Sequence, residues 1–296
     1  MAAFSIYALV YNYVDIITMP LVLIEKQMYA VVNHGVLRYS DSVGFVFTCI
    51  FGSSFGLCIS LLSTQFFYRY LAVCRPNILN HLEGRRILLI FVPAACVSII
   101  WFLMCWFGLS MTDEKIEILK KPFLDNFAEE SIIPFVGALY WTVDSNGVRR
   151  WNTSDCLASV GLALLMFLCS STIVFCAVNT YKKMHETGNS MSERTKELNK
   201  QLFITLSLQT LLPFTLMYCP VGCLFLLPFF EVNIRFLANF AAASTAIYPA
   251  VEPLIAMFCI KTFRRALICH RKMFKTTNTI ASTANSQSGK VRSNAV

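Results

Sequence analysis

Charge is scarce in this chain. Asp, Glu, Lys and Arg make up 14% of its 296 residues, against about a quarter in an ordinary soluble domain. Histidine is scarcer: His34, His81, His185 and His270 are the only four, and each falls between or after the long apolar runs. No such run carries two histidines at metal-ligand spacing, and no Ser/His/Asp set can assemble within one. A Gly-rich phosphate loop is missing, as is an internal repeat of the kind inverted-repeat transporters carry. Catalysis therefore has almost no candidate residues, and neither a metal nor a cofactor is expected. No polar segment or charged leader precedes the first apolar residues.

Apolar length is what the chain has in abundance. It is 56% hydrophobic, with 25 phenylalanines, and six runs are each long enough to cross a bilayer. They cover Ala2–Ile24, Val43–Phe67, Ile87–Leu109, Leu157–Tyr181, Leu202–Leu227 and Phe236–Ile260. A hydrocarbon core of ~30 Å needs about 20 helical residues at ~1.5 Å rise each. The reading is an all-α membrane protein whose single bundle occupies residues 1–268.

A net charge of +8 could suggest nucleic acid, but the placement of the basic residues points elsewhere. Arg69, Arg75, Arg85 and Arg86 lie between the second and third runs. Lys182, Lys183, Arg194, Lys196 and Lys200 lie between the fourth and fifth, and eight more follow the sixth. The 110–156 connection has more acids than bases. This asymmetry places the 68–86 and 182–201 loops and the C-terminus in the cytoplasm. The partner is then the lipid bilayer, not nucleic acid.

Asn152-Thr153-Ser154, the only Asn-x-Ser/Thr site, falls on the outer side, where glycosylation would occur. Most of the twelve cysteines lie inside the runs, where Cys acts as a small apolar residue, although Cys49 and Cys156 are both towards the outer face and could pair. The 110–156 loop is long enough to cap an outer vestibule, with Ile132–Trp141 lying on the bundle. Residues 261–268 read as a short interfacial helix, with Phe263 and Leu267 on one face and Arg264 and Arg265 elsewhere. The polar residues from 269 to 296 read as a disordered tail. Cys269, just past the short helix, is a candidate for palmitoylation, against an ordinary free thiol.

Gln65-Phe66-Phe67-Tyr68-Arg69-Tyr70-Leu71-Ala72-Val73-Cys74-Arg75-Pro76 is the most specific stretch. It resembles the Phe-x-Tyr-Arg-Tyr-x-x-x-x-x-Pro region of nematode seven-transmembrane chemoreceptors of the Str superfamily. Asp15 and Pro20 in the first run resemble that family's second helix. Gln209 to Pro213, followed by Tyr218-Cys219-Pro220-Val221-Gly222, resembles its sixth. Tyr248 to Leu254 with Lys261 to Leu267 resembles the end of its seventh, with Glu252 where the family usually has Asp. The resemblance covers residues 1 to about 270. On this correspondence the family's first helix has no counterpart, which reads as a truncated gene model, an isoform or a degenerating copy.

The resemblance implies a serpentine, rhodopsin-like G-protein-coupled bundle, here six spans plus the interfacial helix, in the plasma membrane of sensory cilia. It implies an olfactory-type receptor for a small-molecule odorant or other chemical cue that signals to a heterotrimeric G protein. Tyr68-Arg69-Tyr70 takes the place of the Asp-Arg-Tyr triplet, with Tyr68 replacing the acid. Arg69 is then either a snorkelling anchor or a switch that contacts the G protein, and Glu197 is one candidate partner for it. Arg69, Arg75, Lys182, Lys183, Lys196, Lys200, Arg264 and Arg265 would form the basic groove, a set that the charge asymmetry alone also explains. Phe47, Phe51, Phe167, Met217, Tyr218 and Asn239 are the candidate pocket residues, against simple packing or lipid contact.

Two acids, Asp15 and Glu252, lie within spans, where an ionisable group costs ~3 kcal/mol and is a functional candidate by default, with a structural hydrogen bond as the alternative. Six prolines (Pro20, Pro93, Pro213, Pro220, Pro249, Pro253) permit kinks. A small transporter or channel would need several polar residues at one depth, and a non-signalling remnant would insert poorly. Both stay open beside the receptor reading.

Overall fold

The computed structural model describes residues 2–82, 84–127, 133–144, 147–186 and 214–232, with 203–204, 207–208, 211–212, 240, 243–244 and 247 besides. Most of the sixth run, the interfacial helix and the tail lie outside them, as do Lys196, Glu197, Lys200, Asn239, Glu252, Arg264, Arg265 and Cys269. Three described helices are long and apolar enough to cross a membrane: Asp41–Cys74, Arg86–Gly108 and Thr153–Glu186.

Where the first run was expected as one helix to Ile24, it divides. Helix α1 spans Ala2–Thr18, strand β1 spans Pro20–Glu25 and strand β2 spans Met28–Asn33. The break is local. Met19 turns to φ 38°, a conformation few non-glycine residues adopt. Pro20 has no N–H to continue the helix but suits the first position of an edge strand. Thus Pro20 opens a strand and kinks no helix.

Helix α2 (Asp41–Cys74) runs well past the second apolar run, carrying Tyr68, Arg69 and Tyr70 with it. A short α3 (Pro76–His81) follows. The third span is composite: a 3-10 segment at Gly84–Phe91, α4 at Val92–Leu103 and a π turn at Met104–Gly108. Pro93, which lacks a donor, sits where the 3-10 segment passes into α4. Beyond α5 (Asp113–Phe127), the loop forms β3 (Phe135–Leu139), β4 (Trp141–Val143) and β5 (Arg149–Trp151). Helix α6 spans Thr153–Glu186. The described end of the fifth run is a π turn at Phe214–Tyr218, α7 at Cys219–Leu226 and a 3-10 turn at Leu227–Phe230. Pro220 stands where the π turn passes into α7, within the continuous helix Phe214–Phe230.

The membrane part is helical, as expected, with α2 at its centre against α1, α4 and α6. Buried hydroxyls on α2 donate to carbonyls one turn back: Thr48 to Gly44, Ser60 to Gly56, and Thr64 to Ser60, at 2.8–2.9 Å. Each thereby satisfies itself where no water can. Gly56 lets α4 approach. A Cβ there would stand 2.9 Å from the Trp101 ring. Gly56→Val should therefore overpack the α2–α4 contact by about 1–3 kcal/mol, seen as a lowered melting temperature of the purified protein. An unchanged melt would show that Trp101 yields freely.

The loop strands are the unanticipated part of the fold. β1, β2 and β3 form an antiparallel sheet in that order, with Met28 opposite Leu139 and Val32 opposite Phe135. Side chains alternate along a strand, and both faces are buried. Val22, Ile24, Tyr29, Val136 and Ala138 pack into the bundle core. Met28, Ala30, Val32, Phe135 and Leu139 join Leu119, Phe123 and Ile133 in a second core beneath α5. The loop thus caps the bundle as expected, but as a two-layer lid of sheet and helix.

One buried ion pair fastens this lid. Lys115 Nζ, on α5, lies 2.9 Å from an Asp155 carboxylate oxygen in the first turn of α6, both all but fully buried. Lys115 also donates to the Ser110 carbonyl at 2.8 Å. The Leu139 N–H, on β3, donates to Asp155 Oδ2 at 2.8 Å. Burial pulls the Lys115 ammonium below the ordinary lysine range, and Asp155 acts against that.

Candidate functional site

Directly under the sheet lies an apolar cavity, open to the centre of a water-sized sphere over about 90 Å³. One water needs ~10–15 Å³ on that measure. Its roof is the sheet, through Pro20, Val22, Tyr29, Val31 and Val136. The α2 wall is Thr48, Phe51, Gly52 and Phe55, and opposite it stand Trp101 and Cys105 of the third span. Leu162 of α6 and Val221, Leu224 and Phe225 of α7 close the remaining side.

Polar groups are few at this site. The Thr48 hydroxyl is already committed as a donor to Gly44, leaving only its oxygen as an acceptor. The Tyr29 hydroxyl shares a hydrogen bond with Ser159 at 3.4 Å. Among the described residues, no charged side chain lines the cavity. Such a site favours a small uncharged molecule, because a charge would lose its hydration and gain no partner.

Of the residues singled out from sequence, Phe51 is on this wall, its ring 5.9 Å from that of Tyr11. Half-buried Phe47 on α2 is not among the lining residues. Phe167 is 67% exposed and, with Tyr218, borders a groove on the outside of the bundle between α6 and the π turn. Met217 is in that turn, its side chain outside the described residues. Cys49 and Cys156 are free thiols and do not pair. Cys49 is buried in α2, whereas Cys156 donates its S–H to the Tyr140 carbonyl at 3.5 Å. Asn152 precedes α6, its Oδ1 accepting the Asp155 N–H at 3.5 Å. Asp15 is half-buried in α1, and its Oδ1 has no hydrogen-bond partner among the described residues.

Far from the sheet, the opposite end of the bundle gathers basic residues. Arg69 is half-buried there on α2, and Tyr68 is exposed. Tyr70 packs its ring 5.9 Å from Phe175 of α6. Cys74 donates to the Asn179 carbonyl, a second tie between α2 and α6 at this end. Arg75, Lys182 and Lys183 are exposed, and Lys183 forms an exposed pair with Glu186 at 3.6 Å.

Of the lining residues the sequence singles out Phe51 alone for the pocket, and leaves Trp101, Cys105, Leu162, Phe225 and the strand residues of the roof unmarked in that role. Apolar residues at helical spacing carry no mark of whether they face lipid, core or cavity. Trp101 opposite a Gly52-x-x-x-Gly56 pair was the one available signal, since small residues admit a bulky neighbour.

A model of the family described as serpentine type 7TM GPCR chemoreceptor Str matches residues 1–268. This chain belongs to that family. Among its relatives is serpentine receptor class r-10 of Caenorhabditis elegans, 29% identical over 278 residues, which are 92% of this chain and 81% of the relative. The protein of the same name from Caenorhabditis briggsae is 28% identical over 283 residues, with the same coverage. G-protein coupled receptor str-217 of Caenorhabditis elegans is 26% identical over 269 residues, 89% of this chain and 76% of the relative. The serpentine receptor is thus a multi-pass membrane protein of the chemosensory G-protein-coupled type, a receptor family and not an enzyme family.

Proposed function

We propose that this receptor takes a small, uncharged, largely apolar molecule into the cavity beneath the strand lid and signals to a heterotrimeric G protein at the basic end. The observation that carries this reading is the cavity itself, walled by four elements of the bundle and roofed by the sheet, without a charged lining residue among the described residues. Binding favours whichever arrangement of the helices holds the molecule better. The basic end, with Arg69, Arg75, Lys182 and Lys183, is the surface offered to the G protein. The lid end faces outward and the basic end the cytoplasm, with Asn152 glycosylated, the C-terminus inside, and the plasma membrane of sensory cilia as the site of action.

Surface expression comes first, with the full chain tagged at its C-terminus. A glycosylated Asn152 and a tag reached only after permeabilisation are expected; an unglycosylated, retained product would oppose the topology. A panel of small apolar odorants on a G-protein reporter then identifies an active compound. Gly52→Leu places a side chain at a position where a Cβ already stands 3.1 Å from Cys105 Sγ. Together with Leu162→Phe from the α6 side, it should raise the concentration needed for a response by at least about tenfold at unchanged surface abundance. Wild-type potency in both variants would place the ligand elsewhere.

A further inference from the structure

Tyr140, in the junction between β3 and β4, is nearly fully buried and belongs to no wall of the cavity, yet four elements meet at it. Its N–H donates to the Gln27 carbonyl in the β1–β2 turn at 3.1 Å. Its carbonyl accepts the Asn152 N–H at 2.9 Å and the Cys156 thiol, both at the start of α6. Its hydroxyl donates to the Phe225 carbonyl at the end of α7, at 2.8 Å. Burial pushes that hydroxyl up to about 12, so it keeps its proton as a donor.

The contacts around this bond point the same way. Tyr29, which lines the cavity, has its ring 6.2 Å from Tyr140 and 5.5 Å from Phe225. Just beyond α7, the Phe229 ring lies 5.2 Å from Tyr140, 5.9 Å from Trp141 and 5.5 Å from Trp151. Hence the β4–β5 hairpin holds Phe229 between its own aromatic rings. Arg149 of β5 adds an exposed ion pair with Glu231 at 2.8 Å, of little weight by itself.

We propose that Tyr140 is a positioning residue of the ligand cavity: through the Phe225 carbonyl it fixes the α7 wall against the lid, with Phe229 in the hairpin as the second half of the clamp. The geometry makes α7 the wall that yields first. The lid is joined to α1 and α2 by the chain and to α6 by the buried Lys115–Asp155 pair. To α7 and the turn after it the lid is held by one neutral hydrogen bond, the ring contacts of Tyr29 and the hairpin, and an exposed ion pair, with no buried charge pair among the described residues. When the clamp opens, Val221, Leu224 and Phe225 move off the cavity and a bound molecule has its exit. This role rests on the cavity being the ligand site; the clamp itself can be tested without any ligand.

The test is hydrogen–deuterium exchange on the full-length receptor in lipid nanodiscs, comparing wild type with Tyr140→Phe, which removes only the hydroxyl. Exchange across residues 224–232 should quicken about fivefold, the effect of one neutral hydrogen bond, while residues 28–33 and 135–139 keep their wild-type rates. Phe229→Ala should quicken the same segment and serves if Tyr140→Phe fails to fold. Wild-type exchange at 224–232 in both variants would overturn the proposal. So would an equal rise throughout the lid, since Tyr140 would then merely support the sheet. Failure of the Gly52 and Leu162 variants to alter the odorant response would count against the cavity as ligand site and would leave the exchange result standing.

Discussion

Asp155→Ala should cost this receptor its lid. The substitution leaves the Lys115 ammonium buried without its counter-charge and removes the acceptor of the Leu139 N–H. Breaking a buried pair from one side destabilises by about 3–5 kcal/mol, a large share of the ~5–15 kcal/mol that holds a folded domain together. The expected result is a receptor retained inside the cell, with a much lower melting temperature when purified. The double variant Lys115→Met, Asp155→Leu should recover most of the loss, because an apolar pair leaves no charge stranded. If Asp155→Ala melts like the wild type, the pair is not the fastening described here. If the double variant recovers nothing, the lost acceptor of the Leu139 N–H matters more than the stranded charge.

Arg69→Ala should abolish signalling and leave surface abundance unchanged. Arg69 lies beyond the apolar stretch of α2, half-buried, next to a tyrosine whose ring packs on α6. The position suits a group that answers relative motion of the two helices. Arg69→Lys should restore only part of the signal, since a compact ammonium lacks the planar fork of guanidinium donors. Measuring the reporter response against surface-labelled receptor separates the two roles. Proportional loss of both would identify Arg69 as a snorkelling anchor.

Helices α2 and α6 were legible because length and hydropathy settle a span without reference to its neighbours. The 20–25 segment was not. A strand buried on both faces loses the alternation that betrays a strand, so Leu21 to Ile24 read as the end of a helix. Lys115 and Asp155 looked like ordinary loop charges, since no local spacing announces a pairing across 40 positions. The Tyr140 bond was out of reach for another reason: its acceptor is a backbone carbonyl, which every residue has. Depth along their helices leaves Cys49 and Cys156 free to pair, and only tertiary packing separates them. Phe51 and Phe167 show the limit most plainly, for each is a phenylalanine within an apolar run, one on the cavity and one facing outward.

The sheet also sets a timetable for biosynthesis. β2 leaves the ribosome early, but its partner β3 is about 110 residues behind it, with two membrane-length helices in between. At roughly 5–20 residues per second, Met28, Ala30 and Val32 wait about 5–20 s for the strand that covers them. Through that interval the nascent receptor presents an unpaired apolar strand edge, the template on which chains aggregate. Yield should therefore respond to chaperone supply and to translation speed between residues 34 and 139 more than to any change at the ligand cavity.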